Sequence, residues 1–165
     1  MSKADTVTAL CLDCGLCCDG SLHNYTFMEP KDRPRVAELG LIVVTAEGRE
    51  AFKQPCHHAS PTGCTVYQNR PHHCCAYECS LLKAVLKGEK SLVDAQKTIA
   101  TAKSLLDRVR TALPTSDEPL WKAARTHLAA LLALPNQPKV RQENAQLLSA
   151  LTALEMIGQR DFMQR

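Results

Sequence analysis

All nine cysteines of this 165-residue chain lie between Cys11 and Cys79, and the 86 residues that follow contain none. Four form the tight run Cys11-x2-Cys14-x2-Cys17-Cys18, and the other five, Cys56, Cys64, Cys74, Cys75 and Cys79, are more widely spaced. Such density means either disulfides or bound metal. The first ten residues lack the apolar stretch of a secretory signal, and no apolar run approaches the length of a membrane span, so the expected address is the cytoplasm. Thiols stay reduced there, and the count is odd, so metal is the stronger expectation. Two-residue spacers let one turn aim successive sulfurs at a single point, which suits tetrahedral thiolate sites and iron–sulfur clusters.

Local features refine this. Gly15 follows Cys14 and can take a positive φ, turning backbone N–H groups towards the sulfurs. Gly63 supplies a turn before Cys64. Pro71 fits the first position of a short helix carrying Cys74, Cys75 and Cys79, on which Cys75 and Cys79 would share a face. His57, His58, His72 and His73 stand beside these cysteines. With so many thiols present, a supporting or solvated role is expected for them in preference to direct ligation. His23 and His127 read as ordinary surface or hydrogen-bonded histidines.

The stretch Cys11-x2-Cys14-Gly15-x-Cys17-Cys18-Asp19-Gly20-Ser21, then Gln54-Pro55-Cys56, then Gly63-Cys64-Thr65-Val66-Tyr67-Gln68-Asn69-Arg70-Pro71-x2-Cys74, resembles the YkgJ-like cysteine-cluster family. That family is also described as a zinc- or iron-chelating CxxCxxCC domain. The likeness is close over residues 11–82 and looser through the Leu/Ala-rich helix beyond. It implies Cys11, Cys14, Cys17, Cys18, Cys56, Cys64, Cys74 and Cys79 as ligands of zinc or iron, with an Fe–S cluster as one form. Eight thiolates would supply two four-thiolate sites, although one cluster plus a separate zinc, or a single site with spare thiols, also fits. The chain departs from the family at Cys75, where Arg is usual. The resemblance nominates Cys74 and helical periodicity nominates Cys75; the resemblance is preferred, because a metal-bound segment need not be regular helix.

Three functions follow. The first is metal chelation for structure, storage or transit. The second is an Fe–S oxidoreductase or electron carrier, and the third a zinc-stapled interaction module. Some members of the family carry oxidoreductase labels, and flagellin lysine N-methylases contain a similar cluster. This chain has no Gly-rich nucleotide loop and no C-x3-C-x2-C run, so no catalytic residue is assigned.

The expected fold class is α+β, with a small cysteine-rich head over residues 1–82 and a helical extension over 83–165. Aromatic content is only 4%, so the core must rest on aliphatic side chains. Short strands are expected over 22–28, 41–45 and 64–67, with a helix over 29–39 closed by Gly40. From Ser91 the period becomes helical. Leu92, Ala95, Ile99, Ala102, Leu106, Val109 and Leu113 form one stripe, preceded by a Ser91/Asp94 capping box and stopped by Pro114. A second helix is expected over 117–134 and a third from about Asn136, carrying Val140, Leu147, Leu151 and Leu154, giving a hairpin or three-helix bundle. The segment 114–119 reads as a flexible joint. The stripes are expected to form the bundle's own core, with self-association or a protein partner as the alternative. The net charge of +3 gives no reason to expect nucleic acid or a membrane surface.

Overall fold

The computed structural model describes residues 2–115, 118 and 120–163. The chain divides into two compact units, Met1–Gln96 and Lys97–Arg165. The class is α+β, as expected.

The first unit opens with a helix that the cysteine spacing had concealed, α1 (Lys3–Cys14). Its start is a reciprocal capping box. The Asp5 N–H donates to Ser2 Oγ at 3.2 Å, and the Ser2 N–H donates to Asp5 Oδ2 at 2.9 Å. Its end is Gly15, left-handed at φ 68°, whose N–H reaches the Cys11 carbonyl at 3.2 Å.

Three antiparallel strands follow: β1 (Tyr25–Phe27), β2 (Val43–Ala46) and β3 (Arg49–Lys53), with β3 in the middle. Strand β3 was not expected. Glu47 and Gly48, both at positive φ (52° and 72°), form the two-residue turn that joins it to β2, and Ala46 pairs with Arg49. This backbone shape matches the right-handed twist of the flanking strands. The expected helix over 29–39 is a 3-10 turn, Pro30–Asp32, running into α2 (Arg33–Glu38) and closed by Gly40 at φ 62°.

Met28, Val36, Leu41 and Phe52 form the buried cluster beneath this sheet, and Leu39, Cys56 and Cys74 pack against it. Two thiols thus meet the core directly. The strand expected over 64–67 is shorter: β4 (Ala59–Ser60) pairs with β5 (Gly63–Cys64), and residues 67–69 turn into 3-10 helix instead.

The expected helix through Cys79 also needs correction. Helix α3 covers only His72–Ala76, with Pro71 as its N-cap, and Cys79 instead caps a separate helix, α4 (Ser80–Leu86). Cys75 and Cys79 therefore do not share a helical face, and the periodicity argument for Cys75 falls away.

The unit boundary falls inside α5 (Leu92–Ala112). The Ser91 half of the expected box is present, with Ser91 Oγ receiving the Asp94 N–H at 3.0 Å and donating to Asp94 Oδ2 at 2.6 Å. Ala95, Ile99, Ala102, Leu106 and Val109 of the stripe are buried. Helix α6 covers Leu120–Leu132. The start expected at Asp117, and part of the joint expected over 114–119, lie outside the described residues. Gln137 Nε2 donates to the carbonyls of Leu131, Leu132 and Leu134 (3.3, 3.0 and 2.7 Å), closing the end of α6.

The expected third helix is broken in two, α7 (Gln137–Glu143) and α8 (Ala145–Ile157). At the break, Asn144 leaves helical geometry (φ −107°, ψ 16°) and its side chain donates to the Val140 carbonyl at 2.9 Å. Leu147, Ala150 and Leu154 are buried, and α8 ends in a π-helical turn, Gly158–Phe162, that buries Phe162. Among the described residues, no helix is long and apolar enough to cross a membrane.

Candidate metal centre

The first cysteine block is held by the end of α1. Cys11 and Cys14 sit three residues apart on its last turn, so they share a face. Gly15 then reverses the chain, and its carbonyl accepts the N–H groups of Cys18 and Asp19 at 2.8 and 2.9 Å. The Asp19 carboxylate in turn accepts the Ser21 N–H at 2.8 Å. The adjacent Cys17 and Cys18 follow on this tight turn and face different neighbours.

Three features bring the distant second block to the first. The Cys56 N–H donates to the Cys18 carbonyl at 2.8 Å, joining the blocks backbone to backbone. Gly63, at φ 111°, lies so close to α1 that a Cβ there would stand 3.0 Å from Leu12 Cδ2 and 3.1 Å from its carbonyl oxygen. Any side chain at position 63 would push Cys64 away from α1. Lys3 and Glu78 pair at 3.2 Å, next to Cys79.

The largest electrostatic neighbours differ from thiol to thiol, although Cys18 acts on Cys17 and Cys11 acts on Cys18. Burial pushes Cys17 well above its ordinary range, with Cys14, Cys79, Cys18 and Cys11 adding repulsion. Burial also raises Cys11, with Cys79 adding to it. The largest sulfur neighbours are thus Cys14 and Cys79 for Cys17, and Cys79 for Cys11. Burial pushes Cys18 up to about 12, with Cys64 and Cys56 the next largest causes. Burial likewise pushes Cys74 up to about 12, followed by Cys18 and Cys56. Cys56 is raised by burial, and Cys64 adds repulsion. These link Cys18, Cys56, Cys64 and Cys74. Burial therefore favours the neutral thiol at Cys11, Cys17, Cys18, Cys56 and Cys74 in the absence of a cation.

Opposing influences favour the thiolate at particular sulfurs. N–H groups of His58 and Ala59 act on Cys56, and those of Leu82 and Leu81 act on Cys79. The Leu82 N–H lies 3.5 Å from Cys79 Sγ. Arg70 lowers both Cys11 and Cys74, while Lys83 lowers Cys79. The Arg70 guanidinium is itself fixed, 3.6 Å from the centre of the Tyr67 ring and 2.9 Å from the Tyr67 carbonyl. Backbone N–H donors and a fixed cation are the surroundings that anionic sulfur needs, so the donor set fits a thiolate-bound metal.

All nine cysteines are free thiols. Among the described residues, no group of three or more His, Cys, Asp or Glu side chains is placed as it stands to hold a metal ion. Cys75 is exposed, and its Sγ donates to the Arg70 carbonyl at 3.7 Å. His57 and His58 place Nε2 at 3.1 and 3.0 Å from the same Leu39 carbonyl. A carbonyl only accepts, so both rings carry a proton on Nε2.

Sequence reasoning missed Tyr77. Its hydroxyl lies 3.0 Å from His23 Nε2; although the residue as a whole is exposed, partial withdrawal of the hydroxyl from water raises it, with Cys17, Cys79 and Cys14 adding to the effect. Nothing in the spacing marks it, beyond standing two residues before Cys79.

The raised thiols carry a pH consequence. A group whose folded value lies above its unfolded one stabilises the fold below the ordinary thiol range near 9.0, and loses that contribution as pH rises towards the folded value, about 12 for Cys18 and Cys74. The reduced, metal-free protein is expected to lose stability progressively across that window. Denaturant titrations at graded pH under reducing conditions check this, and a flat profile would contradict thiols buried in neutral form.

No curated protein and no solved structure matches the chain. The family model named CxxCxxCC, described as a "Putative zinc- or iron-chelating domain", matches residues 10–103, which takes in both cysteine blocks and extends into α5. The chain belongs to the CxxCxxCC family of zinc- or iron-chelating domains.

Proposed function

We propose that the chain binds zinc or iron through eight thiolates in two sets of four, Cys11/Cys14/Cys17/Cys79 and Cys18/Cys56/Cys64/Cys74, in the reducing cytoplasm. The centres hold the cysteine-rich unit together or keep metal in store or transit. The supporting observation is that the largest sulfur neighbours of Cys17 are Cys14 and Cys79, whereas those of Cys18 are Cys64 and Cys56. Each set draws on both blocks, and Cys17 and Cys18 fall into different sets. Cys75, exposed and turned to the Arg70 carbonyl, is left outside both.

Four soft sulfurs per set select zinc or an iron–sulfur cluster over hard cations. Bound zinc would supply a closed, redox-inactive crosslink, whereas iron with sulfide would supply electron transfer. Because no group of these side chains among the described residues is placed as it stands to hold a metal ion, this reading requires side-chain movement within each set on binding.

The test is anaerobic purification followed by analysis for zinc, iron and acid-labile sulfide, with a visible spectrum. Two zinc ions per colourless chain fit paired four-thiolate sites. A brown protein with sulfide moves the function to electron transfer. A folded chain that holds neither metal, and takes up neither on addition, overturns the reading.

A further inference from the structure

Helix α3, which carries Cys74, has a cap supplied from elsewhere in the chain. Its N-cap is Pro71 (φ −53°, ψ 151°), which makes no side-chain capping bond. Proline has no side-chain oxygen with which to receive the unpaired N–H groups of a first turn. The His73 N–H instead donates to Asp32 Oδ1 at 3.3 Å, from a residue 41 positions earlier.

The carboxylate is held at its other end too. Asp32 Oδ2 accepts the Glu29 N–H at 3.0 Å, while the Asp32 N–H donates to the Glu29 carbonyl at 2.8 Å, fixing the 3-10 turn Pro30–Asp32. Asp32 is 1% exposed. A carboxylate withdrawn from water is unfavourable unless its oxygens are hydrogen-bonded, so a buried Asp spanning two segments is a specific choice at this position. A hydrophobic residue would pack there without bonding to α3.

The bond falls one residue before Cys74. Cys74 and Cys56 both pack against Met28, Val36, Leu41 and Phe52, and Val36 lies on α2, which starts immediately after Asp32. The same turn therefore sets the wall behind Cys74 and the register of the helix that carries it.

We propose that Asp32 is a positioning residue for the Cys18/Cys56/Cys64/Cys74 set: its carboxylate caps α3 from the Pro30–Asp32 turn and so fixes the place of Cys74 Sγ. This rests on the reading of those four cysteines as a metal-binding set.

Cobalt(II) serves as the probe, since its visible bands report tetrahedral thiolate ligation, and chelator competition gives the affinity of each site. Asp32→Ala is expected to weaken the site containing Cys74 by about 10–100-fold, the usual effect of removing a group that orients a ligand. The Cys11/Cys14/Cys17/Cys79 site should keep wild-type affinity. Asp32→Asn keeps an oxygen for the His73 N–H but turns an NH2 donor towards the Glu29 N–H, so it should recover only part of the loss. Equal weakening of both sites, or none, overturns the proposal.

Hydrogen exchange of the His73 amide in the wild-type chain gives a second measurement should the Ala variant fail to fold. Protection of that amide supports the cap, and free exchange overturns it. A wild-type chain that binds no cobalt overturns the metal reading itself, an outcome distinct from a variant that fills both sites normally.

Discussion

Chelating the metal from the reduced protein is expected to abolish protection from hydrogen exchange at Ala51 and Phe52, the most buried positions of the central strand. The three strands around them have three to five residues each, and the cluster beneath consists of Met28, Val36, Leu41 and Phe52 with two half-buried thiols. A structural zinc site contributes about 10–16 kcal/mol of apparent binding free energy at neutral pH. The net stability of a whole domain is about 5–15 kcal/mol. Losing even one such site therefore removes an amount comparable to a whole domain's net stability. Removal also leaves thiols that burial and mutual repulsion keep neutral, so no ionic crosslink replaces it. Exchange measured with and without chelator, in the presence of a phosphine reductant, reads the effect directly. Unchanged protection after complete metal removal would exclude the structural role and leave storage or transit.

The second large effect separates neighbours in the chain. Cys17→Ser and Cys18→Ser are each expected to cost one metal equivalent, but from different sites, so the double variant should lose both. Each loss should exceed the roughly 10–100-fold penalty typical of residues that merely support a ligand. Cys75→Ser should bind as the wild type does. Cobalt titration of the four chains gives stoichiometry and site occupancy together. If the two single variants emptied the same site and the double variant lost nothing more, the division into two sets would be wrong. Because Cys17 and Cys18 are adjacent, a general disturbance of the turn would affect both sites in either variant, and the experiment would show that as well.

Much of the secondary structure was legible because it is specified locally. The Ser91/Asp94 box and the three-and-four spacing from Ala95 to Val109 announce α5, since capping and burial along one helical face depend on near neighbours. The positive φ of Gly15 and the proline-started turn at Pro30 were legible for the same reason. Helix α1 carries an equally local signal in Ser2 and Asp5, although its last turn coincides with the Cys11-x2-Cys14 spacing of a metal knuckle. Strand β3 was hidden because Arg49, Glu50 and Lys53 surround its two buried residues, leaving Glu47-Gly48 as the only marker. The break at Asn144 interrupts an apolar stripe that reads as continuous, since a side-chain bond to the Val140 carbonyl leaves no trace in periodicity. Adjacent Cys17 and Cys18 project differently and could be expected to serve different metals, but the rest of the proposed grouping of the thiols was not legible. It depends on contacts between residues tens of positions apart, such as Cys56 on Cys18 and Gly63 on Leu12.

The interleaving of the two cysteine blocks bears on the order in which the chain is made. A ribosome delivers Cys11, Cys14, Cys17 and Cys18 long before Cys56, and Cys79 last of all. A pairing confined to neighbours in sequence would let the first four sulfurs close on whichever ion arrived while the rest was still being synthesised. In the proposed pairing neither set can be completed that early. One waits for Cys74 and the other for Cys79, five residues later. Both would then become competent almost together, when the sheet and α3 already exist to shape them, so that selection among ions falls to the folded unit and not to the nascent peptide.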